Sequence, residues 1–574
     1  MRIDNISIKK FRSIKDMNIS LSNVTALVGG NNAGKSSVLR ALNAFFNYDD
    51  ERTYFMDGAH SYSSNSKTFI ELTFSEIPSK VGLTKIKQNS KIIIKFSHTK
   101  GGAKYQYLKN KQYHPLPRDK WEAIQRQIAF IFIPPARDHT QISRSENSIL
   151  NTLIDTYLDQ KTSQRDRLSK PVKQVVREMD DKVLKVINSQ LNEQLPINSS
   201  GKIRISFADE GSYRTIFQSY QLLYQDTKHE FDMQHVGSGI QSLSIIAMYR
   251  YLANLQHRRF IIGFEEPETN LHPQSQRALI SEIKKYTGDA NNGNVQILLT
   301  THSIPIVDEL KHHQLVLVRR QPCEAREFFT IGSQVSEDFF RSNGLNDEES
   351  YKSLRFNNSE FQFAKHVYLV EGEGDRALIE AIAENEKIDL NAEGISILSL
   401  SGKGNILYPV KLLTTLNIPF TFLCDKDFFL PYLHNEYKPS VLNGEIKYKN
   451  QLDAASRKLL KYLGLSDNKC AELCSNLHSQ HMKALTELKE INIISYKMTL
   501  EADIVRTTRG FSELRALLPP VNPALTVQEI LTTKSVQKKM KKSEIIFSWV
   551  KKLPLSSYPY SLKYIRNDLL ERIK

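Results

Sequence analysis

Two groups of residues in this chain have the types and spacing to work on phosphate. The first is Gly29-Gly-Asn31-Asn32-Ala-Gly34-Lys35-Ser36-Ser37, a complete GxxxxGK[ST] pattern. Glycines at those spacings let backbone N–H groups turn toward an anion, and a following helix N-terminus adds partial positive charge. Lys35 can then reach the terminal phosphates of ATP while Ser36 ligates Mg²⁺. The second group is Glu371-Gly-Glu-Gly-Asp375 together with Asp425-Lys-Asp427. Carboxylate oxygens suit Mg²⁺ or Mn²⁺. Two such ions can make a water nucleophilic and neutralise the transition state of phosphodiester hydrolysis.

Between these groups lies a third set. Phe260-Ile-Ile-Gly-Phe-Glu265-Glu266-Pro267 is an apolar run ending in two acids. Glu265 can hold a metal or its water, and Glu266 can orient or deprotonate an attacking water. Upstream stands Val236-Gly-Ser238-Gly239, and downstream Gln296-Ile-Leu-Leu-Thr-Thr301 presents His302.

The elements that must carry these residues are legible from periodicity. Val24-Thr-Ala-Leu-Val28 reads as a strand before the glycine loop, and Val38, Leu39, Leu42, Phe45 and Phe46 share one face of a helix after it. Further β-rich runs cover 68–74, 91–96 and 129–133, the last closed by Pro134-Pro135 with Arg137 and Asp138 beyond. From about 140 to 200 the pattern turns helical. Residues 318–362 read as charged and irregular, with a domain junction near 355. Beyond it, apolar strand, acids, helix, strand, Ser401-Gly402-Lys403, helix, strand and the Asp425/Asp427 pair alternate, which argues for a parallel sheet. The expected organisation is α/β throughout: 1–355 as one domain with a helical insert at about 140–230, and 356–574 as a second ending in a basic helical segment. That segment, 534–552, holds seven lysines (Lys534, Lys538, Lys539, Lys541, Lys542, Lys551 and Lys552) against the single acid Glu544.

Composition narrows the class. The 574 residues are 40% hydrophobic and 25% charged, with a net charge of +15. Such a field favours a polyanion, either nucleic acid or an acidic membrane surface. No apolar run approaches the roughly 18 residues of a membrane span, and Met1-Arg-Ile-Asp-Asn-Ile lacks the apolar core of a secretion signal. The four cysteines, Cys323, Cys424, Cys470 and Cys474, are too few and too scattered for a disulfide framework or structural zinc. The expected location is the cytoplasm.

The order of motifs in the first half resembles the ABC-type ATPases of chromosome maintenance and repair: Walker A, signature, Walker B, D-loop at Asn270-Leu-His272, and switch histidine. The resemblance implies that Gly29, Asn31, Asn32, Gly34, Lys35, Ser36 and Ser37 bind ATP. Glu265 stands for the usual Walker B aspartate, and Glu266 is the catalytic base. Ser238 and Gly239 would touch the γ-phosphate held by a partner head, and His302 would sense it, so a homodimer or higher homo-oligomer is implied. The signature lacks the common Leu-Ser opening. The span from Lys35 to Ser238 leaves no room for a long coiled-coil arm.

The second half resembles a Toprim domain, a Rossmann-like metal-binding module. With both halves in one chain, the resemblance is to the OLD (overcoming lysogenization defect) family of ATP-dependent nucleases. Its relatives include the Gabija nuclease subunit and retron-associated effectors. That implies an SMC-like ATPase head with a helical dimerisation insert, followed by Toprim. It also implies catalytic Glu371 and Asp425, metal ligation by Glu371, Asp375, Asp425 and Asp427, and a further acid at Glu501 or Asp503. A late lysine would enter the site, with Lys542 the first choice and Lys541 and Lys539 behind it. Glu373 is expected to point away, with a ligand swap for Asp375 as the alternative. Gly374 replaces a serine common in the family. The activity implied is an ATP-gated DNA endonuclease or nickase in anti-phage defence, whose partner could be a helicase or a reverse transcriptase with its noncoding RNA. The competing reading is a RecF- or SMC-like DNA-repair ATPase with a non-catalytic Toprim-like module. A topoisomerase would need a nucleophile among the 24 tyrosines.

Overall fold

The computed structural model describes residues 1–573 apart from 64–65, 80–81, 100–101, 135–138, 187–222, 226–229, 233–235, 237, 289–294, 324–325, 346–358, 401–405, 434–446, 519–525 and 533. Arg137, Asp138, Gly237, Gly402 and Lys403 therefore lie outside the described residues, as does the expected junction near 355. The chain divides into two compact units, Met1–Gly332 and Ser333–Lys574.

The first unit is built on strands β1 (Arg2–Phe11), β2 (Ile14–Ser20), β3 (Val24–Val28), β4 (Thr68–Ser75), β5 (Ile92–Thr99), β6 (Gly102–Lys109), β7 (Gln112–Pro115), β8 (Ile128–Ile133), β9 (Leu223–Gln225), β10 (Glu230–Asp232), β11 (Arg259–Glu265), β12 (Val295–Thr301), β13 (Leu315–Cys323) and β14 (Arg326–Ser333). Twelve of them form one sheet in the order β7-β6-β5-β4-β1-β2-β14-β13-β3-β12-β11-β8, while β9 and β10 pair separately. The sheet changes character along its length. From β7 to β2 the neighbours run antiparallel. From β13 through β3, β12 and β11 to β8 they run parallel. The difference is written in the strands: β4 alternates buried and half-buried residues, as a strand with one wet face does, whereas every residue of β3 and β12 is buried.

The helix Lys35–Phe46 fills the face beneath the parallel half with Val38, Leu39, Leu42, Phe45 and Phe46, as its periodicity predicts. Helices His139–Gln160 and Thr162–Met179 occupy the start of the expected helical insert. As far as residue 333 the charged run after 318 is not irregular. It belongs to β13 and β14, where Val316, Leu317 and Val318 are buried and Arg320 is exposed. A strand tolerates charge at its exposed residues, such as Arg320, so charge alone misread it.

The second unit carries β15 (His366–Val370), β16 (Ile395–Ser399), β17 (Phe420–Cys424) and β18 (Ile493–Ser495). They form a wholly parallel sheet in the order β16-β15-β17-β18. β15 and β17 are buried at every residue, as central parallel strands are. The helix Glu373–Asn385 follows β15 and packs against the late helix Ser543–Lys552, whose Trp549 is fully buried and donates to Gly510 O at 2.7 Å. The last helix, Tyr560–Arg572, is pinned to the sheet by Asp568, which accepts from Tyr368 Oη at 2.8 Å and Thr421 Oγ1 at 3.0 Å.

Candidate nucleotide and metal sites

In the first unit, strand order and register bring distant motifs together. β3 and β11 flank β12, with Val28 opposite Thr301 and Thr300 opposite Glu265. All three strands are parallel, so the glycine loop, Glu265–Glu266 and His302 emerge side by side at their carboxyl ends. The loop is held by close approach. A Cβ at Gly29 would stand 2.1 Å from Val318 O. Gly34 has φ 106° and would meet the Thr330 side chain at 2.5 Å. Asn32 also takes positive φ, and its carbonyl accepts from Arg320 Nε at 2.8 Å. Thr330 Oγ1 ties Ala33 O at 2.9 Å and Ser13 Oγ at 2.7 Å, so β14 braces the loop from behind. Ser36 and Ser37 begin the helix, and Ser37 N donates to Gly34 O. Asn31 is exposed on the loop.

Lys35 is buried and its ammonium donates to Gly29 O and Gly30 O at 3.1 Å each. It also donates to His302 Nε2 at 2.6 Å, which requires a neutral imidazole protonated at Nδ1. Burial lowers the Lys35 pKa, against the pull of Glu266, Glu268 and Glu265. Burial and then Lys35 lower that of His302, against Glu266. Glu266 takes φ 47°, its N–H donates to Thr300, and its carboxylate lies 3.5 Å from His302 Nε2. This arrangement sets the Lys35 ammonium, a donor for an anion, beside a carboxylate that can orient water.

Glu268 went unnoticed in the sequence. Its buried carboxylate accepts from Thr301 Oγ1 at 2.6 Å and His302 N at 3.0 Å, fixing the end of β12. Burial pushes its pKa up. A second acid just after Pro267, short of any helix pattern, was the available signal. Ser238 and Gly239 open the helix Ser238–Gln256, and a Cβ at Gly239 would touch Leu271 of the D-loop at 3.3 Å.

In the second unit the parallel sheet places Glu371 after β15 and Asp425 after the neighbouring β17. Asp427 follows in a short 3₁₀ turn, Lys426–Phe428. One carboxylate oxygen each from Glu371, Asp425 and Asp427 lies within 4.8 Å of the others, a grouping able to hold a metal ion. Glu371 Oε1 accepts from Asp425 N at 3.3 Å, and Asp425 Oδ1 accepts from Leu500 N at 3.2 Å. Asp375 accepts from Gly372 N at 3.3 Å and from the buried Tyr496 Oη at 2.8 Å.

The acids repel one another. Burial, then Asp375, Glu501, Glu371 and Asp427, push the Asp425 pKa well up. Burial raises that of Asp375 to about 7, with Tyr496 lowering, Glu501 raising and Lys541 lowering it further down the order. Five carboxylates thus share one edge, and hard divalent cations fit that donor set.

Glu501 and Asp503, two residues apart on the helix Leu500–Val505, part company. Glu501 acts on Asp375 and Asp425. Asp503 turns away: its carboxylate accepts from Lys497 N at 2.8 Å, Met498 N at 3.1 Å and Ser561 Oγ at 2.7 Å. Placed there it clamps the loop before the helix, and like Asp375 and Glu501 it lies outside the grouping of Glu371, Asp425 and Asp427. Glu373 points aside as expected, accepting from Ser399 Oγ at 2.8 Å. Lys542 caps the helix Ser543–Lys552 with an exposed side chain, while Lys541 is the lysine whose charge reaches Asp375. Both lysines are exposed, and it is Lys541, the second choice, whose charge acts on Asp375. Gly374 has its own explanation: a Cβ there would lie 2.8 Å from Ile546 Cδ1, so its smallness admits the late helix close to the acids. Tyr496 was missed, although it directly follows the short β18 run.

The family comparisons agree with this geometry. Residues 24–308 match the model of an AAA domain associated with the AbiEii toxin of a Type IV TA system. Residues 363–427 match the "Overcoming lysogenization defect protein-like, TOPRIM domain" model. The chain is 24% identical over 474 residues to the OLD nuclease of Thermus scotoductus, covering 74% of this chain and 81% of that protein. It is 22% identical over 489 residues to the Old nuclease of Escherichia phage P2, covering 76% and 79%. Endonuclease GajA of Bacillus cereus is 22% identical over 449 residues, covering 70% and 71%. With an ATPase domain model and an OLD-like Toprim model matched in that order, the chain is similar over about three quarters of its length to OLD nucleases.

Proposed function

We propose that this protein is an ATP-binding and ATP-hydrolysing, metal-dependent DNA endonuclease or nickase that acts in defence against phage. The observation that carries the reading is the grouping of Glu371, Asp425 and Asp427 at the carboxyl ends of adjacent parallel strands. Its relatives are named nucleases. Net charge of +15 and exposed lysines at 538, 539, 541 and 542 favour a polyanionic substrate bound through phosphates.

Glu371, Asp425 and Asp427 would hold one Mg²⁺ or Mn²⁺, with Asp375 and Glu501 completing a second position. Metal there would supply an activated water and neutralise charge developing on the scissile phosphate. The residues themselves do the rest. Gly372 N and Tyr496 orient Asp375, Leu500 N and the Glu371–Asp425 contact orient the central pair, and Lys541 adds positive charge at the rim. In the ATPase unit, Lys35, Ser36 and the loop amides bind ATP, with Glu265 at its Mg²⁺. Glu266 orients the attacking water and His302 reports the γ-phosphate. In a homodimer, Ser238 and Gly239 of one copy would meet the nucleotide of the other, so that nucleotide state gates the nuclease site.

Supercoiled plasmid incubated with Mg²⁺ or Mn²⁺, with and without ATP, tests this reading. Nicked or linear product from the wild type and none from Asp425→Ala, with ATP hydrolysis intact in both, is the expected result. Equal cleavage by both, or none by the wild type under any condition while ATP still binds, overturns it.

A further inference from the structure

The second unit's sheet ends, among the described residues, at β16, whose outer edge no strand covers. Gly394 O accepts from Lys365 N at 2.7 Å, and Leu400 N donates to Val370 O at 2.9 Å, both toward β15. Backbone direction alternates along a strand, so Ser396 and Leu398 share that inward set. The N–H and C=O groups of Ile395 and Ile397 point outward. A cavity of about 680 Å³ is lined by Ile395, Ser396 and Ile397 in succession. Successive side chains leave a strand on opposite faces, so a cavity touching all three runs along the edge itself. Phe363, Ile388, Leu390 and Phe547 give it apolar walls. The edge strand is short, but no proline, lysine or bulge interrupts Ile395–Ser399.

The charge around the groove decides what fits. Glu360, Glu380, Glu384 and Asp389 line it against the single base Arg376. Arg376 pairs with Glu380 and Lys551 with Glu384, which leaves the rim acidic on a chain of net +15. DNA is repelled from such a rim. A second copy pairing edge to edge would set the same acids against themselves.

We propose that the outer edge of β16 and its acidic, apolar groove form a docking site for an extended basic and aliphatic segment of a partner protein, which adds a strand to the sheet. Main-chain bonds to Ile395 and Ile397 would hold it, apolar residues would enter between Phe363 and Phe547, and lysine or arginine side chains would meet the acids outside those ion pairs, Glu360 and Asp389. The site is independent of the acids at the strand ends and does not rest on the proposed nuclease activity.

The test uses the full-length protein and a fluorescent ten-residue peptide alternating lysine with valine or isoleucine, read by polarisation. Its controls are the same peptide with glutamate for lysine and one N-methylated at alternate residues, which removes strand hydrogen bonds while keeping charge. Saturable binding is expected, with a Kd on the order of 10 μM. Each control peptide should bind at least about tenfold more weakly, and so should the Glu360→Lys/Glu380→Lys protein. Plasmid cleavage and ATP hydrolysis by that variant should be unchanged. Absence of saturation, equal affinity for any control, or full affinity in the double variant overturns the proposal. So does self-association of the wild type that the double variant alters, since the occupant would then be a second copy.

Discussion

The carboxyl ends of parallel strands build two sites in this chain by opposite electrostatic logic. Around Lys35 the buried cation is already satisfied, by two loop carbonyls and a neutral His302, with Glu265, Glu266 and Glu268 close enough to favour its charge. Around Asp425 the charges are all of one sign: Asp375, Glu501, Glu371 and Asp427 add to burial in raising its pKa, and Glu501 adds to burial in raising that of Asp375. The first site is organised for an anion by donors that have alternative partners to release. The second is organised for cations by holding acids together at a cost in stability, as functional sites commonly do.

The sharpest way to break that contrast is at the acids. Asp425→Asn keeps the oxygen that accepts from Leu500 N but removes the charge. Cleavage should fall by on the order of a thousandfold or more, while the metal-free protein melts a few degrees higher, in line with about 1 kcal/mol of relieved repulsion. A lower melting temperature would mean that the acids are not strained. At the other site, Lys35→Ala should reduce ATP hydrolysis about a hundredfold. Because Lys35 holds the His302 pKa down, the same change should raise it, which imidazole NMR titration reads directly.

The third test is pH. Asp375 titrates near 7 in the fold and near the ordinary carboxylate value when unfolded. Its stabilisation is therefore full below the unfolded value and is lost as pH rises through about 7. In EDTA the melting temperature should be higher at pH 5 than at pH 8, with the gap narrowing when Mg²⁺ is added. An unchanged gap would remove metal from this edge.

Two smaller effects sharpen the picture. Tyr496→Phe deletes a bond that lowers the Asp375 pKa. It should raise the metal concentration needed for half-maximal cleavage about tenfold, with most activity restored at saturating metal. Lys541→Ala should slow cleavage by about tenfold and Lys542→Ala by less, because only the first has its charge on Asp375. The reverse order would return the late lysine to 542.

Most of the architecture was legible because it rests on local patterns. Largely apolar runs at 24–28, 296–301, 367–370 and 420–424 read as strands, and the structure buries β3, β12, β15 and β17 at every residue, as central parallel strands are. What defeated sequence reading was residues whose meaning depends on orientation. The polar strands after 318 hide their pattern behind charge on one exposed face. Glu268 and Tyr496 act on His302 and Asp375, partners far away in the chain.

By itself, then, the sequence determined the two chemistries, since a glycine loop before a helix and acids at strand ends have few other uses. Tertiary structure separated near neighbours: Asp503 is held by Ser561 while Glu501 acts on Asp375, Lys541 has its charge on Asp375, and Gly374 leaves the gap that Ile546 fills. The reason is geometric. Residues one or two positions apart on a helix or at its cap point in different directions, and only the packing of the late helices against the sheet fixes which of them faces the acids.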